Sequence, residues 1–213
     1  MEIKICGLTK EIEAEYLNAA NVDYAGFVFF EKSKRNITIE QAKRIGYKLA
    51  PSIRKVAVTV SPDIKLVNQI ETAGFDILQV HKELSREVLE AVHIPVWYAF
   101  NVTSPGEMPE QQFLQELPKE LSDKIEAIVV DGAQYGSGKT FDWKKSVEIK
   151  QSQQEMNIFA NRKFVLAGGL NPENVAEGIR IFEPDIVDVS SGVEEAGKKD
   201  EQRILSFVQQ VCK

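Results

Sequence analysis

Eight times along this chain a short β-branched run gives way to a polar turn and then to a stretch of helical periodicity. That alternation limits the fold more than any single motif does. The strand pattern covers residues 2–6, 24–30, 55–60, 77–80, 96–101, 127–131, 163–167 and 186–189. The helical pattern covers 10–20, 38–50, 62–73, 85–92, 109–117, 143–152, 172–182 and 200–211. Runs such as Gly26-Phe27-Val28-Phe29-Phe30 and Ala127-Ile128-Val129-Val130 are apolar nearly throughout, as in parallel strands covered on both faces. Eight βα units in 213 residues match the lower size limit of a (β/α)8 barrel. An open doubly wound sheet often carries a glycine fingerprint in its first turn, and Gly7-Leu8-Thr9 has none. The expected fold is therefore α/β, a single-domain (β/α)8 TIM barrel spanning residues 1–213. Its weakest unit is the fifth, where 103–116 is rich in Pro, Gly, Gln and Glu.

Local signals agree. Thr38 and Ser85 stand where helix caps belong, and Pro62 and Pro172 fit a first helical turn, where a missing N–H costs little. Gly26, inside the second strand pattern, marks close packing rather than a loop.

Charge and composition narrow the function. A formal net charge of -6 leaves no basic excess to neutralise a nucleic-acid backbone, though a local cationic pocket for one small anion remains open. No apolar run approaches a membrane span, and the N-terminal stretch has no charged-then-apolar leader pattern. Cys6 and Cys212 lie near opposite ends and form neither a disulfide framework nor a metal-ligand spacing. His81 and His93 are too few and too scattered for a zinc site. A reduced, cytoplasmic protein is expected, without metal or cofactor and with no nucleic-acid or membrane partner.

In a barrel, the residues just after each strand share one face, and chemistry is read from them together. They include Cys6, Lys32-Ser33-Lys34-Arg35, His81, Asp131, Gly168-Gly169, and Asp188 with Ser190-Ser191-Gly192. Gly168-Gly169 and Ser190-Ser191-Gly192 follow the seventh and eighth strands. There the fold recurrently builds a phosphate site from backbone N–H groups. Each is also a common turn former, but two at consecutive strand ends favour a phosphate grip. Tyr135-Gly136-Ser137-Gly138-Lys139-Thr140 looks like a nucleotide P-loop, yet the position five before Gly138 is Ala133, not glycine. The segment is read instead as a glycine-hinged loop over the site.

Cys6 taken alone suits a small buried hydrophobe. Opposed to Asp131 across a barrel mouth, it becomes half of an acid/base pair. A carboxyl partly buried under the 136–138 loop can hold its proton and donate it. A thiol with an ordinary pKa near 8.5 leaves a useful fraction of thiolate to accept one. Arg35 suits a planar carboxylate by bidentate pairing, whereas Lys32 and Lys34 read as a solvated run. Lys198 and Lys199 also read as solvated, and His81 as structural or peripheral.

Four segments resemble phosphoribosylanthranilate isomerase, a TIM barrel of tryptophan biosynthesis. They are Lys4-Ile5-Cys6-Gly7, the run from Gly136 through Phe141-Asp142-Trp143, the run from Gly168-Gly169 through Asn174-Val175, and Asp188-Val189-Ser190-Ser191-Gly192-Val193-Glu194. Gly26-Phe27-Val28-Phe29 and Ser33-Lys34-Arg35 match in order between them. The resemblance implies an Amadori rearrangement of N-(5-phospho-β-D-ribosyl)anthranilate to 1-(2-carboxyphenylamino)-1-deoxy-D-ribulose 5-phosphate. By that likeness Asp131 is the general acid and Cys6 the base. Arg35 matches the residue that holds the anthranilate carboxylate, and Asp188 one that faces the sugar. Gly168, Gly169, Ser190 and Ser191 match the phosphate loops, and the chain acts as a monomer or homodimer on a small phosphosugar. Two places depart from the family's pattern: Lys82 stands where a glycine is usual, and Glu195-Ala196-Gly197 lacks a proline before Lys198-Lys199-Asp200. Two other readings are weighed. A ProFAR-type isomerase resembles a pair of aspartates at the catalytic strand ends, against which Cys6 argues. The second is a non-catalytic phosphate-binding barrel.

Overall fold

The computed structural model describes residues 1–102, 109–132 and 161–212. Eight strands close into a barrel in chain order: β1 (Glu2–Cys6), β2 (Tyr24–Phe29), β3 (Arg54–Val60), β4 (Ile77–His81), β5 (Val96–Val102), β6 (Ile125–Gly132), β7 (Lys163–Leu166) and β8 (Ile186–Val189). Every neighbouring pair is parallel, and β8 closes on β1 with Lys4 opposite Asp188. The helices are α1 (Glu11–Ala20), α2 (Ile39–Tyr47), α3 (Ile64–Thr72), α4 (Arg86–Ala91), α5 (Pro109–Glu116), α6 (Lys119–Ser122), α7 (Val175–Phe182) and α8 (Glu201–Val211). The expected helix 143–152 and the glycine-hinged loop 135–140 lie outside the described residues.

The expected TIM barrel is thus present, with differences at its element ends. Thr38 and Ser85 cap α2 and α4 by accepting from the backbone N–H three residues on. Asp63 caps α3 in the same way, so Pro62 sits just before the cap rather than inside the first turn. Pro172 likewise lies in a turn ahead of α7, whose cap position is Asn174. Helix α2 stops at Tyr47, short of residue 50, because Pro51 disfavours a helical conformation in the residue before it. Two small elements had no sequence signal strong enough to read: α6, and a hairpin of β9 (Glu194–Glu195) and β10 (Lys198–Lys199).

Strand parity divides the buried side chains into two layers. Ile3, Ile5, Ala25, Phe27, Ala57 and Leu78 face outward and pack with the helices. Cys6, Tyr24, Val56, Val58, Ile77, Trp97, Ala127, Val129, Val165 and Ile186 fill the barrel interior. At the N-terminal ends of the strands the interior is plugged by bulk, with the Tyr24 and Trp97 rings edge to face at 4.9 Å. Toward the C-terminal ends the inward residues become small or polar, and the barrel opens. Gly26 pairs across from Cys6, and a Cβ there would lie 2.8 Å from the Cys6 Sγ. The close packing expected of that glycine is the approach of β1 and β2 around the thiol.

Candidate active site

The opening is a cavity of about 560 Å³, within the usual range for small-ligand sites. Cys6, Arg35, Asp131, Gly168, Gly169, Asp188, Ser190 and Ser191, all singled out from the sequence, line it together. They arrive from β1, β6 and β8 and from the loops after β2, β7 and β8. Asp131 sits near the end of β6 with the inward parity of Ala127 and Val129.

The loops after β7 and β8 are built against each other. Gly168 and Gly169 have φ of 85° and 71°, the left-handed region that glycine enters freely. A Cβ on Gly192 would fall within van der Waals overlap of the Leu170 carbonyl, at 1.9 Å. Ser190 Oγ donates to the Cys6 carbonyl at 2.9 Å, tying the loop after β8 to the tip of β1. The backbone N–H groups of Gly169 and Ser191 have no acceptor among the described residues. Two donors in such turns suit an anion.

Cys6 is 9% exposed. Burial pushes its thiol above the ordinary range, against the opposing pull of Lys4. This corrects the expectation of an ordinary thiol: the charged form is scarcer here than in water, and a stronger base when it forms.

Arg35 does not stand alone. Its Nε and Nη2 donate to Glu194 Oε1 and Oε2 at 2.6 and 2.8 Å. Those hydrogen bonds raise the Arg35 pKa further above its ordinary value. Glu194 in turn accepts from Lys199 Nζ at 2.7 Å, and the same ammonium donates to the Ser190 carbonyl at 3.0 Å. Burial works against the Glu194 carboxylate, but Arg35 and Lys199 outweigh it and hold its pKa below the ordinary range. Lys199 is therefore not solvated as its Lys-Lys-Asp setting suggested. It is 6% exposed, because the β9–β10 hairpin folds it under Ser190, whereas Lys198 faces solvent. Lys32 and Lys34 are exposed, as the sequence indicated, although both border the cavity.

Of the two readings of His81, structural or peripheral, its burial fits the first: it lies in the cavity wall with Gln79, whose Nε2 is 2.8 Å from the His81 Nε2. Burial, with the Lys4 charge nearby, pushes its pKa down to about 3, so the ring is neutral at physiological pH. Gln79 Oε1 has no partner among the described residues. Sequence reasoning missed Lys4, Gln79, Glu194 and Lys199. For the first two a signal existed: each is a polar residue flanked on both sides by apolar ones in a strand pattern, and such a residue, once buried, needs a partner. Among the described residues no group of three or more His, Cys, Asp or Glu gathers to hold a metal ion. No described helix is long and apolar enough to cross a membrane.

Comparison with known proteins places the sequence and the fold in a family. The family model described as N-(5'-phosphoribosyl)anthranilate (PRA) isomerase matches residues 3–210. The N-(5'-phosphoribosyl)anthranilate isomerase of Streptococcus gordonii is 36% identical over 211 residues, covering 99% of this chain and 97% of its own. The crystal structure of phosphoribosyl anthranilate isomerase from Thermotoga maritima superposes with a TM-score of 0.81 at 32% identity, covering 100% of this chain and 98% of that one. A phosphoribosyl anthranilate isomerase in complex with reduced 1-(o-carboxyphenylamino)-1-deoxyribulose 5-phosphate gives a TM-score of 0.78 at 31% identity, with coverage of 100% and 98%. This chain belongs to the N-(5'-phosphoribosyl)anthranilate isomerase family.

Proposed function

We propose that this chain converts N-(5-phospho-β-D-ribosyl)anthranilate to 1-(2-carboxyphenylamino)-1-deoxy-D-ribulose 5-phosphate, an isomerisation of tryptophan biosynthesis. One observation carries the assignment of roles: Cys6 and Asp131 share a cavity whose rim is formed by the paired glycine and serine turns after β7 and β8. The substrate is a small phosphosugar bearing a carboxylate, and the cavity offers groups for each end.

The phosphate is held by the backbone N–H groups around Gly168, Gly169, Ser190 and Ser191. Arg35 receives the anthranilate carboxylate, and Asp188 faces the sugar. Asp131 protonates the furanose ring oxygen, and the bond from that oxygen to the anomeric carbon breaks as the anilino nitrogen donates its lone pair. Cys6 then removes the proton from the neighbouring sugar carbon. The C–H electron pair becomes a double bond, the imine nitrogen recovers its electrons, and the enolamine rearranges to the ketone. Only protons move in this sequence, and positioned side chains accelerate such transfers by about 10²–10⁴-fold each.

We further infer one catalytic domain over residues 1–213, since β1 and β8 close the same barrel. It acts in the cytoplasm as a monomer or homodimer; a Thermotoga maritima relative is described as dimeric.

The test is a turnover assay that follows loss of anthranilate-type fluorescence. Cys6→Ala and Asp131→Asn are each expected to lower kcat by about two to three orders of magnitude, with KM changing far less. Near-normal kcat in either variant removes that residue from the mechanism. An inert wild-type protein that still binds inorganic phosphate would point to a non-catalytic barrel.

A further inference from the structure

Lys4 is completely buried, on the inward face of β1 two residues before Cys6. A lysine in the middle of a barrel is costly, and an apolar pair of similar volume fills such a space with no loss of stability. Its surroundings show what the charge is set against. The ammonium meets Asp188 Oδ2 at 2.6 Å, the residue opposite it in the β1–β8 register. It shares the inward face of β1 with the Cys6 side chain, two residues on, and its positive charge favours the thiolate there. Asp188 Oδ1 has no partner among the described residues and belongs to the cavity wall. One ammonium thus links the base of the proposed reaction to the carboxylate that faces the sugar.

We propose that Lys4 is a positioning residue of the reaction: anchored by Asp188, its ammonium stabilises the Cys6 thiolate that takes the proton from substrate carbon. The inference rests on the reading of Cys6 as that base. In the step, a C–H bond breaks and an S–H bond forms, and Lys4 keeps its own proton throughout. The negative charge on sulfur disappears as the proton arrives, while the ammonium stays paired with Asp188.

Other charges also face the sulfur. Lys199, from the β9–β10 hairpin, favours the thiolate, and Asp188, from β8, opposes it. Arg35, from the loop after β2, interacts with it at longer range, and Asp131 and neutral His81 share the cavity from β6 and β4. Of these, Lys4 exerts the largest lowering effect on the thiol, second only to burial among all influences. Burial pulls the Lys4 ammonium down as well, but the Asp188 carboxylate and the Cys6 sulfur outweigh it and leave its pKa raised.

The experiment titrates the thiol directly. Iodoacetamide alkylation rates are measured against pH in a Cys212→Ser background, because Cys212 is exposed and would react too. Lys4→Met is expected to move the Cys6 titration up by about one pH unit or more, the usual effect of losing an adjacent opposite charge. The rising limb of kcat/KM against pH should move with it, and Lys4→Arg should restore part of both. A thiol titration unmoved in Lys4→Met overturns the proposal, even if activity falls, since Lys4 would then act only as packing. If Lys4→Met does not fold, Lys4→Gln carries the same test: its thiol titration should also rise by about one pH unit or more, and an unmoved value overturns the proposal. Cys6→Ala separates the two readings: a fully active Cys6→Ala protein ends the assignment of the base, whatever Lys4 does to the thiol.

Discussion

Arg35 grips Glu194 side-on, through Nε and Nη2, with both oxygens of the carboxylate engaged at 2.6 and 2.8 Å. A guanidinium has a second bidentate edge, formed by its two terminal nitrogens. No described residue accepts from Nη1, so that edge remains for an incoming carboxylate. On the proposed role of Arg35, Glu194 orients the arginine rather than competing with substrate. Arg35→Ala should raise KM by the loss of roughly 1.5–3 kcal/mol of charge-assisted hydrogen bonding. Arg35→Lys should recover only part of this, because a point charge lacks the planar fork. Glu194→Gln should raise KM by about tenfold or less, since the fork keeps a neutral partner. Steady-state kinetics on the substrate and on an analogue lacking the carboxylate decide the matter. Equal losses on both would place Arg35 in loop folding instead.

Gly26→Ala concerns the thiol's position. The new methyl would stand 2.8 Å from Sγ and 2.9 Å from the Cys6 Cα, and backbone on β1 cannot retreat cheaply. The thiol must turn away from its present direction. A displacement near 1 Å at a reacting group costs about 10²-fold in rate. We expect kcat to fall on that order while phosphate binding is retained, because the new methyl meets Cys6 first, not the turns at Gly168-Gly169 and Ser190-Ser191. Unimpaired kcat in a folded Gly26→Ala protein would show that the Cys6 side chain need not sit where it does.

The barrel was legible because its strands are apolar on both faces and its turns are spaced evenly. Much of the site could be read too, since strand ends of a barrel converge and Cys6, Asp131 and the glycine turns stand at strand ends. Partnerships could not be read. Nothing in Lys198-Lys199-Asp200 distinguishes the exposed lysine from the buried one. Only the hairpin's alternation sends Lys199 inward to Glu194 and Ser190. Arg35 and Glu194 are 159 residues apart, and their pairing depends on how two loops meet at the barrel mouth. The sequence leaves His81 between structural and peripheral for a related reason: its inward parity with Gln79 becomes clear only once β4 is seen to run through residue 81.

His81 gives a pH signature. Its folded pKa of about 3 lies below the unfolded value of 6.5, so the unfolded chain binds the proton first as pH falls. The stability that this neutral ring contributes is complete above pH 6.5 and is lost progressively down to about pH 3. Each unit of that gap is worth about 1.4 kcal/mol. Denaturant unfolding across this window should therefore show a steeper acid loss for the wild type than for His81→Asn. Parallel curves would mean that His81 is not held neutral in the folded protein.

The β9–β10 hairpin turns through Ala196 and Gly197, with φ of 49° and 76°. Two consecutive left-handed residues between paired strands make a type I′ turn, whose preferred sequence is Asn-Gly. Alanine is strained there, at a cost of roughly 1 kcal/mol, whereas asparagine enters that region more readily. Ala196→Asn should therefore raise Tm by about 1–4 °C, as expected for some 0.5–1 kcal/mol in a chain of this size. The side chain is exposed, so the gain would come from backbone conformation alone. A Pro-Gly pair cannot replace Ala196-Gly197 without cost. Proline fixes φ near −65°, which would convert the turn to type II and splay strands that hold Glu194 and Lys199 in place. Ala196→Pro should lower Tm and raise KM together. A thermal melt in which proline stabilises and asparagine destabilises would show that the hairpin does not use this turn.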